Sequence, residues 1–221
     1  MAHPRGGYKN KSGQKIPGVT TIIGRFKDSG GLMYWAFEQG KAAERGEIEK
    51  LYDKRDEAAV AGTIAHSMVE ATIRRDPLPD ISMHPENIQK HALQGYENYL
   101  RWSQNSKIEV IYQEIQLVSE KHQFGGCPDA IIIADGKLAV GDWKTSDSVY
   151  PDYLIQLSAY KKLWEENFPD QPITGGFHLC RFGKKHADFA HFFWHELDDA
   201  WELFLLYRRA YDLYGKLKKR V

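Results

Sequence analysis

The sequence predicts an α/β or α+β fold, a central mixed β-sheet flanked by helices. Three observations predict it. Residues 16–104 carry amphipathic helical patterns. The middle of the chain then changes to runs rich in β-branched residues, separated by tight-turn signals. One helical pattern interrupts those runs and a long one closes the chain. The order helices, three strands, helix, strands, helix is that of a sheet with helices packed on its faces. A chain of 221 residues suits a single domain with a real core. The expected layout is one domain over 1–221, with extra N-terminal helices at about 16–104, a sheet core at about 108–194 and a C-terminal helix at about 196–219.

The elements follow in order. In "IPGVTTIIGRF", Thr20 is placed to start a short helix after Pro17-Gly18. "GLMYWAFEQGKAAERGEIEKLY" reads as helix, with Gly40 and Gly46 as its weak points. "AGTIAHSMVEATIRR" is a stronger helix, with Ile64, Met68, Val69, Thr72 and Ile73 in one stripe. "HPENIQKHALQGYENYLRWSQ" carries Pro85 in its first turn and Ile88, Ala92, Tyr96, Tyr99 and Leu100 along one side. "KIEVIYQEIQLVS" reads as a strand, and two more strands cross "GGCPDAIIIADGKLAVGDWKTS". A helix runs from about Pro151 to Phe168. A hairpin of "TGGFHLCRF" and "ADFAHFFWH" turns at Gly183-Lys184-Lys185. "DDAWELFLLYRRAYDLYGKLKK" is the closing amphipathic helix.

Composition excludes several classes. The apolar runs fall far short of the roughly 20 residues that span a membrane, and the opening "MAHPRGGYKNKSGQK" has no apolar core of a secretory signal. That opening is basic and acid-poor, as a transit peptide is, but its Gly and Pro content argues against an amphipathic helix. Two cysteines, Cys127 and Cys180, supply neither a disulfide framework nor a four-thiolate cluster, so a reducing cytoplasm is the expectation. Thirty Lys and Arg balance thirty Asp and Glu. A nucleic acid responds to local charge within about 8–10 Å and not to the total. The local clusters are Lys9, Lys11 and Lys15, Lys184 and Lys185, and Lys216, Lys218, Lys219 and Arg220; taken alone, each reads as solvated surface.

"ADGK" carries the Asp-Gly signal of a two-residue hairpin turn. Counting outward, Ala134 faces Lys137, Ile133 meets Leu138, Ile131 meets Val140 and Asp129 meets Asp142. One face then holds Ile131, Ile133, Leu138 and Val140, with two aspartates at its open end and Lys144 about 7 Å further along. The opposite face, Ala130, Ile132, Ala134, Ala139 and Gly141, is also apolar, so the hairpin lies centrally in the sheet. Two opposed carboxylates in a low dielectric force one to protonate unless a cation lies between them. A divalent metal resolves the conflict, and oxygen ligands favour Mg²⁺ or Mn²⁺. The bare pattern also accommodates Asp129 capping a turn after Pro128 while Asp142 and Lys144 form a rim ion pair.

Further residues bear on the choice. Gln156 and Tyr160 share a helix face with polar tips, either toward a site or as a half-exposed face with the tyrosine on the sheet. His66 has Glu70 one turn later on the same face, and a helical histidine is either structural or a ligand. Glu114 faces either the site or solvent, because strand parity is not fixed there.

Together these residues resemble the PD-(D/E)XK nuclease superfamily, in its RecB-like exonuclease branch. The matching elements, in order over residues 16–193, are His66 in "GTIAH", Asp129 in "GGCPD", Asp142 and Lys144 in "GDWKT", and Gln156 and Tyr160 as "QxxxY". "IPGVTTII" also resembles the N-terminal segment of phage-type and mitochondrial exonucleases of that branch. The resemblance implies a restriction-endonuclease-like core and a metal-dependent DNA exonuclease. Such an enzyme hydrolyses phosphodiester bonds of single-stranded or end-containing DNA in recombination, replication or repair. It implies one or two Mg²⁺ or Mn²⁺ ions, held by Asp129 and Asp142 with His66 and the main-chain carbonyl of Trp143. Lys144 orients the water or neutralises charge, Gln156 and Tyr160 position the helix and the DNA backbone, and Glu114 is the spare carboxylate for a second ion. Relatives that staple the fold with an iron–sulfur cluster use four cysteines, which this chain lacks, and no "GxxxxGK[ST]" phosphate loop of a helicase motor is present.

The expected partners are therefore DNA and a recombination or replication protein, with no membrane. The expected place is the cytoplasm of a bacterium or phage-infected cell, ahead of a mitochondrion. Two readings compete. One is a structure-specific or flap endonuclease with the same site, in which Tyr34, Trp35, Phe37, Tyr96, Tyr99 and Trp102 either stack unpaired bases or fill the core. The other is a non-catalytic nucleic-acid-binding protein that keeps the fold, against which the intact Asp129, Asp142 and Lys144 count.

Overall fold

A computed structural model describes residues 6–28, 30–47, 53–105, 108–146, 148–182 and 189–220. A small hairpin of β1 (Tyr8–Lys9) and β2 (Lys15–Ile16) leads into helices α1 (Val19–Phe26), α2 (Gly30–Glu44), α3 (Asp53–Arg74) and α4 (Glu86–Asn105). Strands β3 (Ile108–Gln113), β4 (Leu117–Ser119), β5 (Phe124–Gly126), β6 (Ala130–Ala134) and β7 (Lys137–Lys144) follow. Helix α5 (Pro151–Asn167), strands β8 (Phe177–Phe182) and β9 (Phe189–Trp194), and helix α6 (Asp198–Lys218) complete the order. The turn expected at Gly183, Lys184 and Lys185 lies outside the described residues. No helix among those described is long and apolar enough to cross a membrane.

The main sheet runs β3-β6-β7-β8-β9, antiparallel except for the parallel β7–β8 pair, which α5 connects. The β6–β7 register is the one counted from the turn, with Ile131 opposite Val140, Ile133 opposite Leu138 and Ala134 opposite Lys137. Asp135 and Gly136 both take positive φ, 49° and 76°, as a two-residue turn matching the strand twist demands. Because side chains alternate, parity sorts the core into two layers. Ile131, Val140, Phe177 and Leu179 pack under α1, α5 and α6. Ala130, Ile132, Ala139, Trp143 and Cys180 pack under α3 and α4. The small residues Ala130 and Ala139 make room for Tyr96, Tyr99 and Trp143 in the second layer.

Some element boundaries differ from the sequence expectation. The run "KIEVIYQEIQLVS" is not one strand: β3 stops at Gln113, and β4 pairs with β5 in a separate two-stranded sheet. The break falls at Glu114, whose φ of 51° is incompatible with a strand. Its N–H donates to the Asp129 carbonyl at 3.2 Å and its carboxylate meets Arg74 at 2.8 Å, which together hold the turn. Helix α1 begins at Val19 with Gly18 as its cap, so Thr20 lies inside the helix instead of capping it. Helix α4 begins at Glu86, just after Pro85. Gly40 leaves α2 unbroken, whereas Gly46 at φ 73° ends its run, with the Glu47 N–H returning to the Ala42 carbonyl. Of the aromatics, Tyr96 and Tyr99 are core, Trp102 packs beside them, and Tyr34 and Phe37 are exposed.

Gly125 and Gly126 are packing devices. A Cβ on Gly125 would overlap the Tyr8 ring, and one on Gly126 would stand 2.6 Å from Leu163 Cδ1 and 2.9 Å from Tyr160 Cε1. The pair lets the N-terminal hairpin and α5 close on both sides of β5, three residues before Asp129. Gly125→Ala is therefore expected to destabilise the fold by about 1–3 kcal/mol through overpacking, and Tyr8→Ala in the same chain should recover part of that loss. Urea unfolding of the single and double variants checks it; equal losses in both would contradict the packing.

His178 and His191 lie side by side on β8 and β9, Nδ1 to Nε2 2.9 Å, with the other His178 nitrogen at the Gly175 carbonyl, 3.2 Å away. Burial lowers both pKa values from 6.5, and His191 lowers that of His178 further. A base whose pKa is lower in the folded chain binds protons more readily when unfolded. Stability is therefore intact above pH 6.5 and is lost as pH falls below it. The melting temperature should drop between pH 7 and pH 5, and less steeply in His178→Phe. Identical pH slopes would remove the pair as the cause.

Candidate functional site

The site forms where β3, β6 and β7 end together. Asp129 immediately precedes β6, and Asp142 and Lys144 share one face near the end of β7. Asp142 is fully buried and Asp129 nearly so. The Lys144 side chain folds back along the strand, placing Nζ 2.6 Å from Asp142 Oδ2 and 4.0 Å from Asp129 Oδ2. Nζ also sits 5.3 Å from the centre of the Tyr153 ring. The Trp143 N–H donates to Asp129 Oδ2 at 3.1 Å. The sequence placed both aspartates at an open end; the structure sets Asp142 behind Lys144, and only Asp129 of the two reaches the cavity wall.

Two helices bring further groups. Helix α3 approaches so closely that a Cβ on Gly62 would overlap Thr145 Oγ1, just past Lys144. That approach carries His66 over Asp129, Nε2 to Oδ2 3.4 Å, while His66 Nδ1 meets Glu70 Oε1 at 2.7 Å. From α5, Gln156 Nε2 donates to the Tyr160 hydroxyl at 2.7 Å, and both residues line the cavity. Tyr160 is therefore both core and site: 2% exposed, with its polar end at the cavity. Glu114, whose direction the sequence left open, faces the cavity. The cavity encloses about 470 Å³.

Charge in the site is tightly coupled. Burial pushes the Asp129 carboxyl up, but Lys144, His66 and the Trp143 N–H outweigh it and hold it well below the usual carboxylate range. Asp142 is pushed up to about 7 by burial, with Lys144 pulling it down and Asp129 adding to the rise. Burial works against the charged forms of Lys144 and His66, yet the neighbouring carboxylates prevail: both are raised, His66 to about 10. An ammonium and an imidazolium thus balance the carboxylates.

These residues suit a divalent cation. Both Asp142 oxygens are buried; Oδ1 has no hydrogen-bond partner, and Oδ2 meets the Lys144 ammonium at 2.6 Å. The Lys144 ammonium reaches both aspartates, at 2.6 Å from Asp142 and 4.0 Å from Asp129. Among the described residues no group of three or more His, Cys, Asp or Glu side chains is placed to hold a metal ion as it stands. A centre here would draw on Asp129, Asp142, His66 and a main-chain oxygen, a hard donor set that suits Mg²⁺ or Mn²⁺.

Several lining residues were not singled out from the sequence: Thr20, Thr63, Ser67, Thr145, Ser146 and Tyr153. Their signal is partly there. Thr63, His66, Ser67 and Glu70 fall at i, i+3, i+4 and i+7 on α3, a polar stripe beside the apolar one, and Tyr153, Gln156 and Tyr160 repeat the spacing on α5. Thr20 carries no comparable pattern.

Fold and site together define an α/β protein with a buried carboxylate–lysine centre at the ends of the inner strands of a mixed five-stranded sheet. No protein-family model matches the chain, and no curated protein matches it. Among solved structures it is similar to a candidate exonuclease from Eubacterium rectale, at a TM-score of 0.42 and 10% identity, over 88% of this chain and 72% of that one. It is also similar to the protein solved as SSO0001, at a TM-score of 0.35 and 16% identity, over 68% of this chain and 70% of that one. Similarity at that level carries nothing about the chemistry.

Proposed function

We propose that this protein is a Mg²⁺- or Mn²⁺-dependent deoxyribonuclease that hydrolyses phosphodiester bonds, acting as an exonuclease on single-stranded or end-containing DNA. One observation carries the reading: Asp129 and Asp142 converge at the end of β6–β7 with the Lys144 ammonium beside them, against a cavity that also receives His66. Asp129, Asp142, His66 and the Trp143 carbonyl would hold the ion, and Glu114 is the further carboxylate on the wall for a second one. The bound metal would polarise the scissile phosphate, lower the pKa of the attacking water and steady the departing 3′ oxygen.

The remaining work falls to the chain. Lys144 brings a positive charge to the phosphoryl oxygens as charge builds on them and orients the incoming water. Gln156 fixes the Tyr160 hydroxyl, and the two position the DNA backbone along the α5 side of the cavity. The hydroxyls of Thr63, Ser67, Thr145 and Ser146 offer donors to phosphate without adding charge. Acting in DNA recombination, replication or repair beside a partner protein fits a small nuclease of this kind.

The test is a gel time course on 5′- and 3′-labelled linear DNA, single- and double-stranded, and on circular DNA, with Mg²⁺, Mn²⁺ or EDTA. Metal-dependent loss of linear but not circular DNA is the expected result. Cutting of circles would replace the exonuclease by an endonuclease with the same site, and no cleavage of any substrate would overturn the enzyme reading.

A further inference from the structure

We infer that Glu70 is a positioning residue for the metal centre: its carboxylate holds His66 with Nδ1–H turned to Glu70 and Nε2 turned to Asp129. The inference rests on the metal-centre reading above and adds a residue that acts through a ligand without itself binding the ion.

Glu70 is 8% exposed, and burying a carboxylate costs free energy unless it is paired. Its partner is explicit: Oε1 stands 2.7 Å from His66 Nδ1, one helical turn away. An ionised carboxylate has only acceptors, so the proton between them belongs to Nδ1. With Nδ1 committed, the free direction of the ring is Nε2, which lies 3.4 Å from Asp129 Oδ2. A histidine that binds metal through one nitrogen ordinarily donates its other N–H to a carboxylate or carbonyl, which sets both tautomer and ring angle.

Glu70 is itself braced. Its carboxyl meets that of Glu114, and Arg74 closes on Glu114 Oε2 at 2.8 Å from one turn further along α3. Arg74, Glu114, Glu70 and His66 therefore form a chain of contacts from the surface to Asp129. Glu114 enters it only because the backbone turns to positive φ there, so the break between β3 and β4 and the aim of His66 are linked. A purely structural role predicts a different outcome, since an ion pair within one helix would affect folding and leave the metal untouched.

Mn²⁺ binding to the untagged 221-residue chain, followed by electron paramagnetic resonance, separates the two. The variants are Glu70→Met, which keeps the volume, Glu70→Ala, which removes it, and Glu70→Gln, which keeps an oxygen acceptor for Nδ1–H; Asp129→Asn is the control. Circular dichroism gives the folded fraction of each. Asp129→Asn is expected to abolish specific binding. Glu70→Met and Glu70→Ala are expected to raise Kd about 10–100-fold, and Glu70→Gln to stay within about threefold of wild type, because its amide oxygen accepts the same bond. Wild-type affinity in the Met and Ala variants would overturn the inference and leave the metal centre standing. A Gln variant as weak as the Ala variant would overturn it too, by assigning the effect to charge or direct ligation. Wild-type binding no stronger than that of Asp129→Asn would overturn the metal centre itself.

Discussion

Asp142→Asn is expected to lower cleavage by at least ~10³-fold while leaving the melting temperature within a few degrees of wild type. The two halves of this expectation come from the same observation. Asp142 is completely buried, Lys144 is its close partner at 2.6 Å, and burial pushes its pKa up to about 7. The fold thus gains little from the negative charge, and an amide of the same size fills the same space. Lys144 loses its nearest partner but keeps Asp129 at 4.0 Å. A metal centre, by contrast, cannot replace a carboxylate ligand with a neutral amide and keep its charge balance. Initial rates on end-labelled linear DNA with Mg²⁺, taken with a melting curve, read both halves. A rate near wild type would remove Asp142 from the site, and collapse of the fold would assign it a structural role.

Lys144→Met should reverse that pattern, costing metal-free stability as well as activity. Without the ammonium, Asp129 and Asp142 face each other with no cation between them, and breaking a buried pair from one side costs about 3–5 kcal/mol. Added Mg²⁺ should restore most of that loss, because in the proposed centre a divalent ion would take the place the ammonium held. The wild type should gain less from Mg²⁺, since its own cation must give way. Cleavage should still fall about 10²–10³-fold, as the ion supplies charge to the aspartates but no donor to the phosphoryl oxygens. Urea unfolding in EDTA and in Mg²⁺ makes the comparison. A stability loss of equal size in both conditions would contradict the replacement of ammonium by metal.

The sheet was legible in the sequence wherever local rules act alone. Asp135-Gly136 specifies one turn, that turn specifies the register, and the register puts Asp129 on the face of Asp142 and Lys144. Helix stripes were legible for the same reason: Ile64, Met68 and Val69 are all buried. What was not legible depends on contacts distant in sequence. The break at Glu114 is held by Asp129 and Arg74, and no propensity of "YQEIQ" announces it. The N-terminal hairpin lays Tyr8 against Gly125, where any Cβ would overlap the ring. Composition alone read those residues as a basic, glycine-rich opening.

The candidate site divides in the same way. Asp129, Asp142 and Lys144 follow from strand parity, whereas His66 and Gln156 reach the cavity only through the approach of α3 and α5. The glycines that permit this approach, Gly62 and Gly126, stand beside the residues singled out and mark close packing instead of chemistry. Thr20 enters the wall because α1 starts one residue earlier than its sequence suggested.

The most direct measurement is the cleavage of end-labelled linear DNA by wild type and Asp142→Asn, side by side, in Mg²⁺ and in EDTA. Cleavage by wild type in Mg²⁺ alone, and none by the variant in either, is the expected result. Cleavage that survives EDTA, or that the variant retains, would contradict a metal-dependent centre built on Asp129, Asp142 and Lys144.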